Sequence, residues 1–399
     1  MPDTLLSFEP SRAAALDRLA RFVPAAGQKY AAGRNIDAGS EAPSAVSRLS
    51  PYLRYRLLTE PEVVRAVLNQ HSLMAAEKYV QEVLWRTYWK GWLEMRPSVW
   101  HSFVDERDRA QQSFPNARAL AAAENGTTGI EGFDDWAREL IATGYLHNHA
   151  RMWFASIWIF TLRLPWALGA DFFLRHLLDA DAASNTLSWR WVAGLQTAGK
   201  TYLATADNIA RYTNGRFAPT GLASNAAALT EPAVAAARPL PRLDPVMPGT
   251  ASLLLVTPED LHPQASLFTG IAIKAAVITA GADLLWGDQA RSFVASAASD
   301  TSERTAATWN CPAQVTATLD PAAIIAAAQA AEVRQIVAAY APVGPVADAL
   351  GTLAPALAAH GIALTQVRRR WDEQFWPHAK KGFFAFKERI PELLREIGI

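Results

Sequence analysis

The stretch HNHARMWFASIWIFTLRLPWALGADFFLRHLLDADAASNTLSWRW, residues 147–191, decides how this chain is read. It sets an arginine, two aspartates two residues apart, an asparagine and spaced tryptophans on segments of helical periodicity, punctuated by Pro165 and Gly169. Asp179 and Asp181 end one helical pattern and are followed by Ala182, Ala183 and Ser184. Such small residues let a planar ligand approach the backbone, while a carboxylate can accept a hydrogen bond from a ring N–H. The plainer alternative is a pair of solvated helix-end acids. Arg151 is the natural bidentate partner for one of them. His147 and Asn148 can simply cap or bridge helices, and Trp166, Trp189 and Trp191 are ordinary core unless a redox group lies beside them. His147 and His149 offer no metal site, because no H-E-x-x-H and no cysteine pair supports them.

Working outward, 399 residues exceed one ordinary core and predict more than one domain. Residues 1–217 read as an all-helical domain, with apolar positions at helical spacing in 61–68, 72–95, 132–142, 147–161 and 170–178. Residues 218–249 are rich in Ala and Pro and poor in large apolar side chains, as an extended linker is. Residues 250–399 alternate short apolar runs (252–256, 335–340, 362–367) with Ala-rich helical stretches (321–331, 345–360), which implies a smaller, Rossmann-like parallel-sheet domain. No G-x-G-x-x-G opens any of its helices, so ordinary dinucleotide binding there is unsupported.

Charge is balanced at 38 basic and 38 acidic residues, so nothing global advertises a polyanionic partner. Residues 1–217 hold 24 basic and 22 acidic side chains and the remainder 14 and 16, a difference that only weakly favours the helical half for an anion. Cys311, the single cysteine, excludes an internal disulfide. The most apolar run, 152–168, is broken by Arg163 and Pro165, so no transmembrane span is expected; residues 1–10 lack a signal-peptide pattern, and the expected address is the cytoplasm.

Two further motifs lie upstream. SRLSPYL, residues 47–53, concentrates Ser47, Arg48, Leu49 and Ser50 before a proline turn, a setting of hydroxyls, backbone N–H groups and arginine that suits a pyrophosphate. EKYVQEVLWRTYW, residues 77–89, places Glu82, Trp85, Arg86 and Trp89 as neighbours on one helix. A tryptophan beside a carboxylate can stack on and hydrogen-bond an unstacked base; the alternative is a Trp-packed helix flanked by charge.

Taken in order, these motifs resemble the flavin-binding helical domain of the photolyase/cryptochrome family over residues 25–193. The resemblance implies FAD as cofactor. Tyr30 and Arg34 resemble an early flavin-contacting pair, SRLSPYL the segment wrapping the phosphates, and NGTTG at 125–129 a short motif before the next helix. In QEVLWRTYW it implies that Glu82 touches a thymine pair, Trp85 stacks on it and Arg86 lies near the flavin. Asn148 falls at a flavin- and substrate-contacting asparagine and Arg151 at the cofactor-site arginine that pairs with an aspartate, Asp179 and Asp181 bracket the ribityl chain and ring system, and Asn185 faces the ring N5. Trp189 and Trp166 resemble the inner part of an electron-transfer chain, and Trp191 would lie by the DNA lesion. LLLVTPEDLHPQASL, residues 253–267, resembles the opening of the family's α/β, antenna-like domain, which here follows the helical domain.

The implied activity is light-dependent splitting of cyclobutane pyrimidine dimers in UV-damaged DNA by a monomeric photolyase. Members acting on (6-4) photoproducts carry a histidine pair where this chain has Asn148 and Met152. The competing readings are a cryptochrome-like blue-light photoreceptor without repair and a helical scaffold without cofactor. No residue selects an antenna pigment. Three departures stand out: Thr186, Leu187 and Ser188 replace asparagine and glycines, Phe114 occupies the region of the outermost electron donor, and residues 195–212 do not follow the usual DNA-side loop.

Overall fold

The computed structural model describes residues 6–263 and 265–399. Its centre is the helix Leu73–Glu94, started by Ser72, whose hydroxyl accepts from the Ala75 N–H at 3.2 Å. From Thr87 to Glu94 every residue is buried, because the helix is covered on all sides. Gly91 makes one crossing possible: a Cβ there would lie 2.8 Å from the Trp376 Cα. The expected helices are Glu60–Leu68, Phe133–Thr143, Asn148–Ser156 and Trp166–His176. Asn148–Ser156 runs on into a π-helical turn, Ile157–Thr161, so the predicted 147–161 helix widens in its last turn. Between Tyr212 and Ala251 there is no regular element. The segment is largely exposed but pinned to the helices, with the Leu229 N–H on Ala193 O at 3.0 Å and the Arg238 N–H on Met95 O at 3.0 Å.

The sheet contains β1 (Ala251–Val256), β2 (Ala272–Thr279), β3 (Ala313–Thr316), β4 (Gln335–Ala339) and β5 (Ala363–Val367), in the order β3-β2-β1-β4-β5 with every pair parallel. The order reverses between β1 and β4. Alternation divides the strands between two cores. Leu253, Leu255, Val277, Ile336 and Ala338 pack with Ile324 and Leu350 of the helices Pro321–Ala330 and Pro345–Ala358. Leu254, Val256, Ala276 and Ile278 pack on the other face with Phe293 and Val294 of Asp288–Trp309, in an apolar cluster continuous with the helical half. Strands β2 and β3 and the helix Asp288–Trp309 lie outside the predicted segments; β3 is a short, half-exposed edge strand with no apolar run to announce it. After β5 the chain returns to the helical half through Arg370–Phe375, Phe383–Lys387 and Ile390–Glu396, and the Trp371 indole donates to Thr87 Oγ1 at 3.0 Å. No helix among the described residues is long and apolar enough to cross a membrane.

Buried ions join the two halves. Arg56 donates to both oxygens of Asp372 at 2.7 Å and lies 3.7 Å from Asp260 and Glu60, while Arg369 holds Asp260 at 2.6 and 2.8 Å. Removing one partner of a buried pair leaves an uncompensated charge, which costs about 3–5 kcal/mol. Arg56→Met is therefore expected to lower stability by about that amount in urea unfolding. The exposed pair Arg21–Asp17 is the control: Asp17→Ala should change stability by less than about 1 kcal/mol.

Candidate functional site

Residues 179–181 are held by three arginines from three elements. Arg151, on Asn148–Ser156, meets Asp179 through two parallel bonds of 2.9 Å and donates its Nε to Leu146 O at 2.8 Å. Arg54, on Ser50–Arg54, donates its Nε to the Ala180 carbonyl at 2.8 Å. Arg86, on Leu73–Glu94, pairs with Asp181. Asp181 is in addition the N-cap of Ala182–Ala193: its Oδ1 accepts from the N–H groups of Ala183 and Ser184 at 2.9 and 2.8 Å, and its Oδ2 accepts from Ser184 Oγ at 2.9 Å.

Burial alone would raise both carboxyls. For Asp179 it is outweighed by Arg151, the Ser50 hydroxyl and Arg86; for Asp181 by Arg86, Lys90, Arg54 and the capping N–H groups, so both sit below the usual carboxylate range and are ionised at neutral pH. The sheet half closes this network: Glu259 lies 2.9 Å from Arg54 and 3.3 Å from Lys90. Arg54, Lys90 and Glu259 were not among the predicted site residues. Arg54 directly follows SRLSPYL, so that motif pointed to it, whereas Glu259 is brought in only by the tertiary fold.

The remaining predicted residues surround this wall. Arg48 is buried with a left-handed φ of 52° and its guanidinium lies 5.8 Å from the Tyr145 ring centre; Leu49 is fully buried, and its N–H reaches Ser47 Oγ at 3.4 Å. Tyr30 is buried edge-on against Tyr79, and burial pushes its phenol well up. Arg34 approaches Glu82 at 3.9 Å. Apolar surroundings push the Glu82 carboxyl up against the pull of Arg34 and Lys78, although 40% of the side chain reaches solvent. Asn185 is buried and its Nδ2 donates to Ala170 O at 2.9 Å, which fixes the side chain. Asn148 is exposed, with Met152 one turn along the same helix. Trp191 stacks on Tyr202 at 5.7 Å, whose hydroxyl lies 3.3 Å from His149 Nε2.

Trp189 and Trp166 are buried in separate aromatic groups and share no ring contact. Trp189 packs on Phe154, Trp158 and Phe173, with its ring edge on Gly169, where a Cβ would lie 2.3 Å from it. Trp166 packs on Phe103, which in turn meets Trp100 and Trp286. Trp85 is half-buried, and Phe383 from the returning C-terminal segment stacks on it at 3.5 Å and 11°.

Four buried polar atoms on these same elements have no partner among the described residues: Gln81 Nε2, His147 Nε2, Thr186 Oγ1 and Trp189 Nε1. His147 Nδ1 accepts from the His149 N–H at 3.2 Å, so the neutral ring carries its proton on Nε2. Burial holds that histidine down at about 4, helped by His149, Arg151 and Arg48 and opposed by Asp37. Each unsatisfied buried group costs about 1–3 kcal/mol. Their presence on the elements that carry these arginines or are capped by the ionised Asp181 fits a large planar ligand with many acceptors, as FAD is.

Residues 79–216 match the family described as the FAD binding domain of DNA photolyase. The deoxyribodipyrimidine photo-lyase of Streptomyces griseus is 36% identical over 156 residues, 39% of this chain and 34% of that protein. That of Thermus thermophilus is 34% identical over 193 residues, 47% of this chain and 43% of that protein. The chain thus spans less than half the length of these relatives. Among solved structures, a bacterial class III photolyase from Agrobacterium tumefaciens covers 51% of this chain and 43% of its own, with 28% identity and a TM-score of 0.44. The cryptochrome of Synechocystis covers 53% and 45%, with 22% identity and a TM-score of 0.46. Over residues 79–216, which include Arg86, Arg151, Asp179 and Asp181, the chain carries a FAD binding domain of the photolyase/cryptochrome family.

Proposed function

We propose that this chain is a light-driven DNA repair enzyme that holds FAD in its helical half and opens the cyclobutane ring of pyrimidine dimers. The observation that carries the reading is the wall at residues 179–181, in which two ionised aspartates are oriented by Arg151 and Arg86 inside the matched FAD binding domain. When bound, the flavin supplies the light-driven one-electron chemistry that ring opening needs; the protein supplies binding, orientation and electrostatics.

Ser47, Arg48, Leu49 and Ser50 are the residues proposed to hold the phosphates, with Tyr30 and Arg34 nearby. Arg86, Asn148, Arg151, Asp179, Asp181 and Asn185 are proposed to line the ring system and its polyol chain. His147, with an unpartnered buried Nε2–H, joins this set as a donor to the ligand. Glu82, Trp85, Asn148, Met152 and Trp191 form the proposed lesion face: the carboxyl of Glu82 hydrogen-bonds the bases and the Trp85 ring packs on them. Trp189 and Trp166 are the buried indoles proposed for electron delivery. The parallel sheet is taken as the family's α/β domain placed after the helical one.

Asn148 and Met152 favour pyrimidine dimers over (6-4) lesions. Neutral net charge favours the second reading, a blue-light photoreceptor that does not repair. The test is a blue-light assay of the FAD-loaded chain on oligonucleotides carrying one lesion of either type. Cleavage of the cyclobutane dimer alone is expected. Cleavage of (6-4) lesions alone would overturn the substrate assignment, and a flavin-loaded chain inert on both would favour the photoreceptor.

The wall itself is tested by Asp181→Asn. A hydrogen bond from the ligand to an ionised carboxylate is worth about 1.5–3 kcal/mol, so flavin affinity should fall by roughly tenfold or more. Flavin fluorescence released on dialysis measures this; retention equal to wild type would remove Asp181 from the site.

A further inference from the structure

The end of the chain comes back to the helix that carries Glu82 and Trp85. There, residues 380–382 turn into the short helix Phe383–Lys387, and the segment 380–384 is held at its base by several contacts. Arg96 Nη2 donates to the Lys380 carbonyl at 2.9 Å, the Tyr88 hydroxyl donates to the Lys381 carbonyl at 2.8 Å, and the Phe383 ring lies flat on Trp85. Just beyond, Lys387 Nζ pairs with Glu77 at 2.9 Å.

With its carbonyls tied down, the segment presents other groups to solvent. Lys380 and Lys381 are exposed, and neither has an ion-pair partner among the described residues. Phe384 is 80% exposed, whereas its neighbours Phe383 and Phe386 are buried. Leaving a phenyl ring in water forgoes about 1.5–3 kcal/mol of burial. Residues 377–391 carry four basic side chains and one acidic, in a chain whose net charge is zero.

A single fixed aromatic ring flanked by unpaired lysines matches one class of partner. Bases offer π-faces to stack on or steps to wedge, and phosphates attract the lysines. A lipid surface wants a broad apolar face, and here Phe383 and Phe386 point inward. Protein interfaces are depleted in lysine. The contact with Trp85, on the helix that also carries Glu82, places this segment at the edge of the proposed lesion face.

We propose that residues 380–384 are a DNA-contact element, in which Lys380 and Lys381 bind backbone phosphates and Phe384 packs against a base next to the lesion. The proposal rests on the reading that the chain binds damaged DNA. It is tested on the full FAD-loaded chain by titrating a dimer-containing duplex, followed by fluorescence anisotropy, at several salt concentrations. The double variant Lys380→Ala/Lys381→Ala should flatten the dependence of log affinity on log salt by about 2. Lys380→Arg/Lys381→Arg should keep the wild-type slope. Phe384→Ala should weaken binding roughly fivefold or more with the slope unchanged, since a base–aromatic stack is worth about 1–3 kcal/mol. All variants should keep the wild-type flavin absorption, because the altered side chains are exposed. If wild type binds the lesion while the two alanine variants match it in affinity and slope, the proposal is overturned and the repair reading stands. If wild type itself does not bind, the repair reading falls and the proposal with it.

Discussion

Three arginines on three consecutive residues are the constraint from which the site is built. Asp179, the Ala180 carbonyl and Asp181 are each taken by a guanidinium from a different helix, so the segment between Trp166–His176 and Ala182–Ala193 has no freedom to move alone. The consequence is electrostatic as well as geometric. Both carboxylates are buried and ionised, an arrangement that survives in a low-dielectric interior only when cations and N–H groups face them. Asp181 adds a mechanical role, because the carboxylate that meets Arg86 also caps the helix carrying Asn185 and Trp189.

The parallel sheet is part of this construction. Glu259 follows β1 and sits between Arg54 and Lys90, so the cations behind Asp181 are themselves balanced by a carboxylate from the sheet half. At the far end of the Leu73–Glu94 helix, Glu94 accepts from the Tyr340 hydroxyl at 2.8 Å and from the Val343 N–H, both in the loop after β4. Gly344 in that loop packs closely against Ala182: a Cβ at Gly344 would lie 3.0 Å from the Ala182 Cβ, tighter than ordinary packing. The apolar core runs without interruption from the helical half onto one face of the sheet. A helical domain that matches its relatives over residues 79–216 is thereby supported by a partner that follows it in sequence.

Much of this was legible in the residues themselves. Helical spacing located Leu73–Glu94 and Trp166–His176, and short apolar runs located β1, β4 and β5, because each buries a face whose period is visible in sequence. The pairing of Arg151 with an aspartate follows from the chemistry of the two groups. What stayed hidden depends on distant segments meeting. Glu259 is an unremarkable acid in a loop until the sheet docks, and Phe383 is one of three phenylalanines in FFAF until it lands on Trp85. The C-terminal helices are short, and their apolar faces make sense only against the helix they cover. Edge strand β3 lacks the apolar run that marks a central strand.

The most direct test of the account is the absorption spectrum of the purified full-length chain, with the flavin released and quantified. The proposed FAD wall of ionised aspartates, arginines and unpartnered buried donors predicts a yellow protein with one FAD per chain. A colourless protein that takes up no FAD when it is supplied would contradict the account at its centre.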